Sequence, residues 1–363
     1  MKALVTALLV LLIPTVAAGD SLNTTVPVTV PVAVTVFSTG SIVGDGSDGK
    51  DGNGDGDGDG NGALEVEPAA PSAAPAGALT APALRPANPW AVGGLTAGLG
   101  AVVILSGYLS WWDDGEFVPF TWQKTGWFGP DAPLGGGDKK GHFFSFYTMT
   151  RATAQFYRWV RVSDGWARFA GATFAFALGA MIETVDGFTH YGFEFHDVIA
   201  NVTGIAVASL LEWDERLDRL LGVRMGFVPS KYFPEQIKRL ETMNDYSGMS
   251  LHLDLRLAGL AGYGLDPGYA RYLTVGLTYG TRDYGPDGPD KRRNLGVFVG
   301  LNLPELLDAT LGRGKPGVEV LRTFTRYYAV PLTEVGLQHD LDGTGQYLNF
   351  GVPNRLEVHL NGD

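Results

Sequence analysis

The stretch Asp138-Lys139-Lys140-Gly141-His142, followed by an apolar, aromatic-rich run from Phe143 to about Val162, decides how this chain is read. Two further helix-length apolar runs follow, Trp166 to Ile182 and Val198 to Leu211. His142 opens the first helix, Glu183 and Asp186 close the second, and Asp197 with Asn201 opens the third. If consecutive helices pack antiparallel, all of these residues come to one end of a bundle. Charged groups at the ends of apolar helices are costly to desolvate unless paired, so their convergence marks either a site or a polar clasp.

Both readings stay open on the residues alone. Asp138 and Asp197 each stand at a helix start, where a carboxylate satisfies free N–H groups. Glu183 and Asp186 are three apart and Asp197 and Asn201 four apart, so each pair shares a helical face and could clasp Lys139 or His142. Alternatively His142, Glu183, Asp186 and Asp197 offer nitrogen and carboxylate oxygen to a divalent metal, with His190 or His196 in the connecting loop nearby. The close His-x-x-x-His spacing of many zinc sites is absent.

Working outward, the composition excludes several classes. Acidic residues outnumber basic ones 39 to 27 and the net charge is −12, which is the wrong sign for neutralising the phosphates of a nucleic acid. The 363 residues include no cysteine, which removes disulfides, thiolate metal sites and a lipid-modified cysteine. Lys2, the apolar run Ala3 to Ile13 and the small residues Val16-Ala17-Ala18 predict a secretory signal over 1–18, and therefore export to the cell envelope.

Residues 19–89 read as a flexible acidic linker, because their Asp/Gly repeat (Asp55-Gly56-Asp57-Gly58-Asp59-Gly60) and Ala/Pro tract bury too little apolar surface to form a core. A calcium-loop reading fails on register, since the twelfth position counted from Asp55 is Val66. From Trp90 to Ser110 the chain is uncharged and ends in Trp111-Trp112, which predicts a membrane span with an interfacial belt. Beyond it, Arg151, Arg158, Arg161 and Arg168 lie at the end opposite His142, so the positive-inside tendency turns the acidic end outward. A span entered from outside would instead bring His142 to the inner face. A re-entrant or peripheral first segment reconciles the two.

The order Asp138-Lys139, His142-Phe143, Glu183, Asp186-Gly187, then Asp197 with Ala200-Asn201 and Gly204, resembles a family of uncharacterised bacterial predicted periplasmic lipoproteins. It is similar as well to the VanZ-like membrane proteins. The resemblance covers about Trp122 to Trp213. It implies a helical, envelope-associated domain of unsettled biochemistry, with the VanZ-like branch tied to glycopeptide resistance. The chain departs from the first family in lacking a cysteine to lipidate, and from the second in carrying Asp186 where Gln is frequent.

After about Pro229 the period changes. Leu251, Leu253, Leu255 and Leu257 alternate with His252, Asp254 and Arg256, while Tyr272 to Tyr279, Leu295 to Leu303, Val318 to Tyr328 and Leu356 to Leu360 also read as strands. About five strands with one polar face predict a small antiparallel region, too few to close an outer-membrane barrel. Pro304 to Asp308 reads as a short helix. Asp340-Leu341-Asp342-Gly343-Thr344 matches a phosphatase nucleophile loop, but too little chain follows to build that domain. Gly135-Gly136-Gly137 lacks the ending of a phosphate-binding loop and reads as a hinge.

The expected fold is therefore α+β: a helical, membrane-associated bundle of about four helices over 90–228, then a β-rich region over 229–363. Two functions fit. One is a non-catalytic module binding a membrane lipid or cell-envelope component through Asp138, Lys139, His142, Glu183, Asp186, Asp197 and Asn201. The other is a metal-dependent hydrolase or transferase acting on a lipid-linked or cell-wall substrate, with His142 as base or ligand and Glu183, Asp186 and Asp197 positioning water or metal.

Overall fold

Gly135 and Gly136 adopt positive φ angles of 56° and 79°, so the expected hinge is a left-handed turn that delivers the chain into a long helix. A computed structural model describes residues 87–110, 112, 117–234, 244–284, 291–343, 345–351 and 357–360. The expected signal over 1–18 and nearly all of the expected linker over 19–89 lie outside the described residues.

Four long helices come first: α1 (Pro89–Ser110), α2 (Gly137–Trp159), α3 (Asp164–Asp186) and α4 (Phe195–Trp213). A short parallel pair, β1 (Trp122–Gln123) with β2 (Phe193–Glu194), ties the segment before α2 to the start of α4. Close helix approach depends on small residues. A Cβ at Gly204 on α4 would strike the carbonyl of Phe143, and one at Gly171 on α3 would lie 2.8 Å from the Thr150 carbonyl oxygen on α2. The glycine that ends the Asn-x-x-Gly motif is thus a packing requirement of the α2–α4 contact.

After the short α5 (Glu215–Leu220), capped by Asp214 accepting from the Arg216 and Leu217 amides, the chain enters the sheet. Its strands are β3 (Leu221–Phe227), β4 (Met249–Arg256), β5 (Leu273–Arg282), β6 (Arg292–Leu301), β7 (Tyr328–Ala329), β8 (Glu334–Asp340), β9 (Gln346–Asn349) and β10 (Glu357–His359). They lie in the order β10-β9-β8-β6-β5-β4-β3-β7, antiparallel except for the β3–β7 pair. The fold class is α+β. Among the described residues the sheet holds eight strands rather than about five: β3 precedes the expected boundary at 228/229, β7 and β9 are only two and four residues long, and β8 falls outside the expected strands, while β10 lies within the expected Leu356 to Leu360.

Two helices interrupt the sheet, α6 (Leu303–Leu311) and α7 (Pro316–Tyr327). The second corrects the strand expected over Val318 to Tyr328. Its β-branched and aromatic residues favour a strand locally, but Pro316 at the first turn and the Glu319–Arg322 pair, 2.8 Å apart at i,i+3, favour a helix start.

The alternation read in the sequence is present, and its polar set is the enclosed one. Across the sheet runs one row of register partners, Val223, Leu253, Leu277, Val297, Leu337, Leu348 and Val358. Beside it runs Arg224, His252, Thr278, Gly296, Gln338, Tyr347 and His359. The polar row belongs to the enclosed face: Arg224, His252, Asp254 and Glu334 are all at most 5% exposed, whereas Leu253, Leu277 and Val297 are 44–53% exposed.

The enclosed face is closed on itself. Arg224 on β3 donates to both oxygens of Asp254, at 2.6 and 3.0 Å, and to Glu334 on β8 at 3.1 Å. His252 Nδ1 lies 2.9 Å from Glu334, and its Nε2 lies 2.8 Å from Ser250 Oγ. β3 and β8 are four strand spacings apart in the sheet order, roughly 19 Å on a flat sheet. A direct contact between them requires the sheet to be rolled around its polar residues.

The helices cover only one margin of the roll. Phe144 and Tyr147 of α2 and Ala208 and Leu211 of α4 bury against Val223 and Met225 of β3 and Met249 of β4. A second cluster, Phe146, Ala175 and Ile182 with Val103, packs the four helices together.

Candidate functional site

The first two turns of α2 carry Asp138, Lys139, Lys140 and His142, because the helix begins at Gly137, five residues before His142, which was expected to open it. The α3 C-terminus brings Glu183 and Asp186 to the same end, and the α4 N-terminus brings Asp197 and Asn201.

Lys139 is the centre of one half of the cluster. Its Nζ lies 2.7 Å from Asp138, 2.9 Å from Glu194 and 2.8 Å from Asp197, and donates to Thr125 Oγ1 at 3.0 Å. Burial opposes its charge, but the carboxylates of Asp138 and Asp197 outweigh this and hold the ammonium protonated well above its ordinary range. Asp138 lies inside the first turn, the N-cap being Gly136, and accepts from the Lys139 amide at 2.9 Å and from the Lys139 ammonium.

His142 is the centre of the other half. Its Nδ1 lies 3.0 Å from Asn201 Oδ1 and 3.5 Å from Glu183 Oε1, and its Nε2 lies 3.8 Å from Asp197 Oδ1. Asn201 Nδ2 donates to Glu183 Oε1 at 3.1 Å. Asp197 Oδ1 thus serves both halves. The imidazole is partly exposed at 23%, while Glu183 is enclosed.

The remaining expected residues fall outside the His142 shell. Asp186 accepts from Trp112 Nε1 at 2.7 Å, so the tryptophan expected in an interfacial belt is held by a carboxylate. His196 sits 3.2 Å from Glu194 and edge-on to Trp127, and exposed His190 lies tilted against Tyr191. Lys140 points the other way and donates to the carbonyls of Tyr246 and Met249 at 3.0 and 2.8 Å and to Thr281 Oγ1 at 2.8 Å. Burial drives its pKa down to about 7. It fastens the helix start to β4 and β5. Sequence reasoning missed Thr125 and did not single out Glu194; the spacing Glu194-x-x-Asp197, two carboxylates facing Lys139, was the available signal.

Burial pushes the Glu183 carboxyl up to about 7, against the pull of His142 and with the push of Asp197 and Asp186. The unfolded chain releases this proton near 4.5 and the folded chain near 7, so stability falls as pH rises across that window. For His142 burial alone would lower the pKa, but Asp197 and Glu183 raise it. The stability they confer is complete below 6.5 and is lost as pH rises through the folded value, which adds to the same decline. Glu183→Gln is expected to flatten that decline, gaining on the order of 2–3 kcal/mol relative to wild type near neutrality. Unfolding midpoints of both proteins from mildly acid to mildly alkaline pH measure it, and parallel curves refute the assignment.

Residues 124–213 match the model of a family described as predicted periplasmic lipoprotein (DUF2279). The matched span contains every residue of the cluster except Trp112 and is consistent with an exported, periplasmic-side envelope protein. No curated protein and no solved structure matches the chain. The VanZ-like resemblance rests on the motif residues alone.

Proposed function

We propose that this envelope protein is membrane-anchored and non-catalytic, and that its polar cluster binds an envelope component or holds the helix ends. One observation carries the reading: the Lys139 ammonium lies within 2.9 Å of three carboxylates. An internal cation stands among Asp138, Glu194 and Asp197 where a metal would otherwise be held, and it offsets part of their charge. His142, backed by Asn201 and Glu183, is the part of the cluster open to a polar head group. α1 supplies the anchor. It is 22 residues long, uncharged and mostly exposed, with Thr96 Oγ1 and the Tyr157 hydroxyl 2.8 Å apart where it meets α2. α3 and α4 are also long and apolar enough to cross a membrane.

A second reading has its own observation. One ligand atom each from His142, Glu183 and Asp197 lies within 4.8 Å of the others. Such a set fits a divalent ion of nitrogen and oxygen preference, which would supply an acidified water for hydrolysis or transfer. Elemental analysis of the purified full chain decides between the two. The non-catalytic reading expects less than stoichiometric zinc, manganese or iron after equilibration with each ion, unchanged in His142→Ala. One ion per chain, lost in His142→Ala, overturns it in favour of the metal-dependent enzyme.

A further inference from the structure

The β-roll is inside out for a water-soluble sheet. Its enclosed face carries Arg224, Ser250, His252, Asp254 and Glu334, joined by ion pairs and hydrogen bonds. Its outer face presents Leu253, Leu277, Val297, Val299, Val335 and Leu337, each 43–53% exposed, with no charged residue among them. Water drives the opposite arrangement, since apolar surface is withdrawn from it and charges are left in it. A polar interior and an aliphatic exterior are what a strand pattern shows when the surrounding solvent is hydrocarbon.

Three further observations identify the solvent. The aliphatic surface continues the one that α2 and α4 already bury at Val223 and Met225, so it extends an existing interface beyond the area the chain's own helices cover. Aromatic residues flank it at both ends: exposed Phe128 stands by Tyr279 with exposed Trp127 stacked on it at one, and exposed Tyr263 and Tyr269 lie in the β4–β5 connection at the other. Rings with an apolar body and a polar tip sit in this way at a bilayer interface. Finally, β5 and β6 are each ten residues long, the length of strand that a bilayer accommodates.

We propose that the outer face of β5, β6 and β8 rests against the acyl chains of a lipid bilayer, with the flanking aromatic residues at its interface. This inference is independent of the role of the His142 cluster. A second copy of the chain is the competing occupant, and an uninterrupted aliphatic surface between aromatic margins fits fluid acyl chains better than the interlocking side chains of a protein interface.

The absence of cysteine allows a single reporter. Val297→Cys in the full chain, labelled with an environment-sensitive fluorophore and reconstituted in phosphatidylethanolamine–phosphatidylglycerol vesicles, probes the face at a half-exposed position that touches no buried charge. Arg313→Cys, on the exposed turn between α6 and α7, is the aqueous reference. Acyl-chain nitroxide lipids are expected to reduce the Val297→Cys signal by about twofold or more and to leave Arg313→Cys nearly unchanged, with aqueous iodide giving the reverse. Iodide quenching at Val297→Cys equal to that at Arg313→Cys overturns the proposal. So does protection from both quenchers accompanied by concentration-dependent crosslinking at Val297→Cys, which assigns the face to a second copy.

Discussion

Lys139→Met is expected to lower stability by about 3–5 kcal/mol, a drop of roughly 10 °C or more in Tm. The substitution keeps nearly all of the side-chain volume and deletes the charge. Asp138, Glu194 and Asp197 then face one another without the cation that lies 2.7, 2.9 and 2.8 Å from them, and Thr125 loses its donor. Carboxylates so placed repel, and the chain can relieve them only by taking up protons or opening the ends of α2 and α4. Adding Asp197→Asn to Lys139→Met is expected to restore part of the loss, because it removes the acid shared with His142. Thermal unfolding of the single and double variants measures both effects. A Tm within about 2 °C of wild type for Lys139→Met would mean that the ammonium contributes little, and with it would go the argument that an internal cation closes the site.

The helical half was legible because its signals are local. Apolar runs of helix length ending in Glu183 and Asp186, and starting at Asp197, fix which end each residue occupies once the helices alternate in direction. What stayed hidden were contacts set by loops: Thr125 reaches Glu194 only because β1 and β2 pair in parallel, and Trp112 reaches Asp186 only after α1 folds back. Neither pairing leaves a periodic mark in the sequence.

The sheet shows a different limit. Leu251-His252-Leu253-Asp254-Leu255-Arg256 states its period plainly, and β4 has that period. Alternation does not state which set of side chains is enclosed. In a soluble sheet the leucines would be inside, yet His252, Asp254 and Arg256 are the buried residues here, and the leucines are the more exposed set. The sign is decided by partners far along the chain: Arg224 on β3 and Glu334 on β8 compensate the β4 charges, and no local window contains both. The strand count fell short because β7 and β9 are too short to carry a pattern and β8 falls outside the expected strands, whereas β10 lies within the expected Leu356 to Leu360.

Arg224→Met is accordingly expected to be the most damaging single substitution in the sheet, at about 3–5 kcal/mol. It leaves Asp254 at 4% exposure and Glu334 at 5% exposure without the guanidinium that bridges them. Asp254 keeps only the Arg256 guanidinium at 3.8 Å, and Glu334 keeps His252 at 2.9 Å. The loss should be unevenly distributed. β3 and β4 are backed by α2 and α4 as well as by their seven register pairs, whereas β8, also with seven register pairs to β6, meets β3 only through the rolled interior. Hydrogen exchange is therefore expected to accelerate first in β8 and β9, ahead of β3 and β4, as the roll opens. In a double-mutant cycle Arg224→Met and Glu334→Gln should be less than additive by about 1 kcal/mol or more, because either change breaks the same closure. Uniform acceleration across all strands, or full additivity, would show that the Arg224–Glu334 contact is incidental to the roll. Closure of the polar interior would then have to come from the Ser250–His252–Glu334 chain, which Glu334→Gln alone would open and Arg224→Met would not.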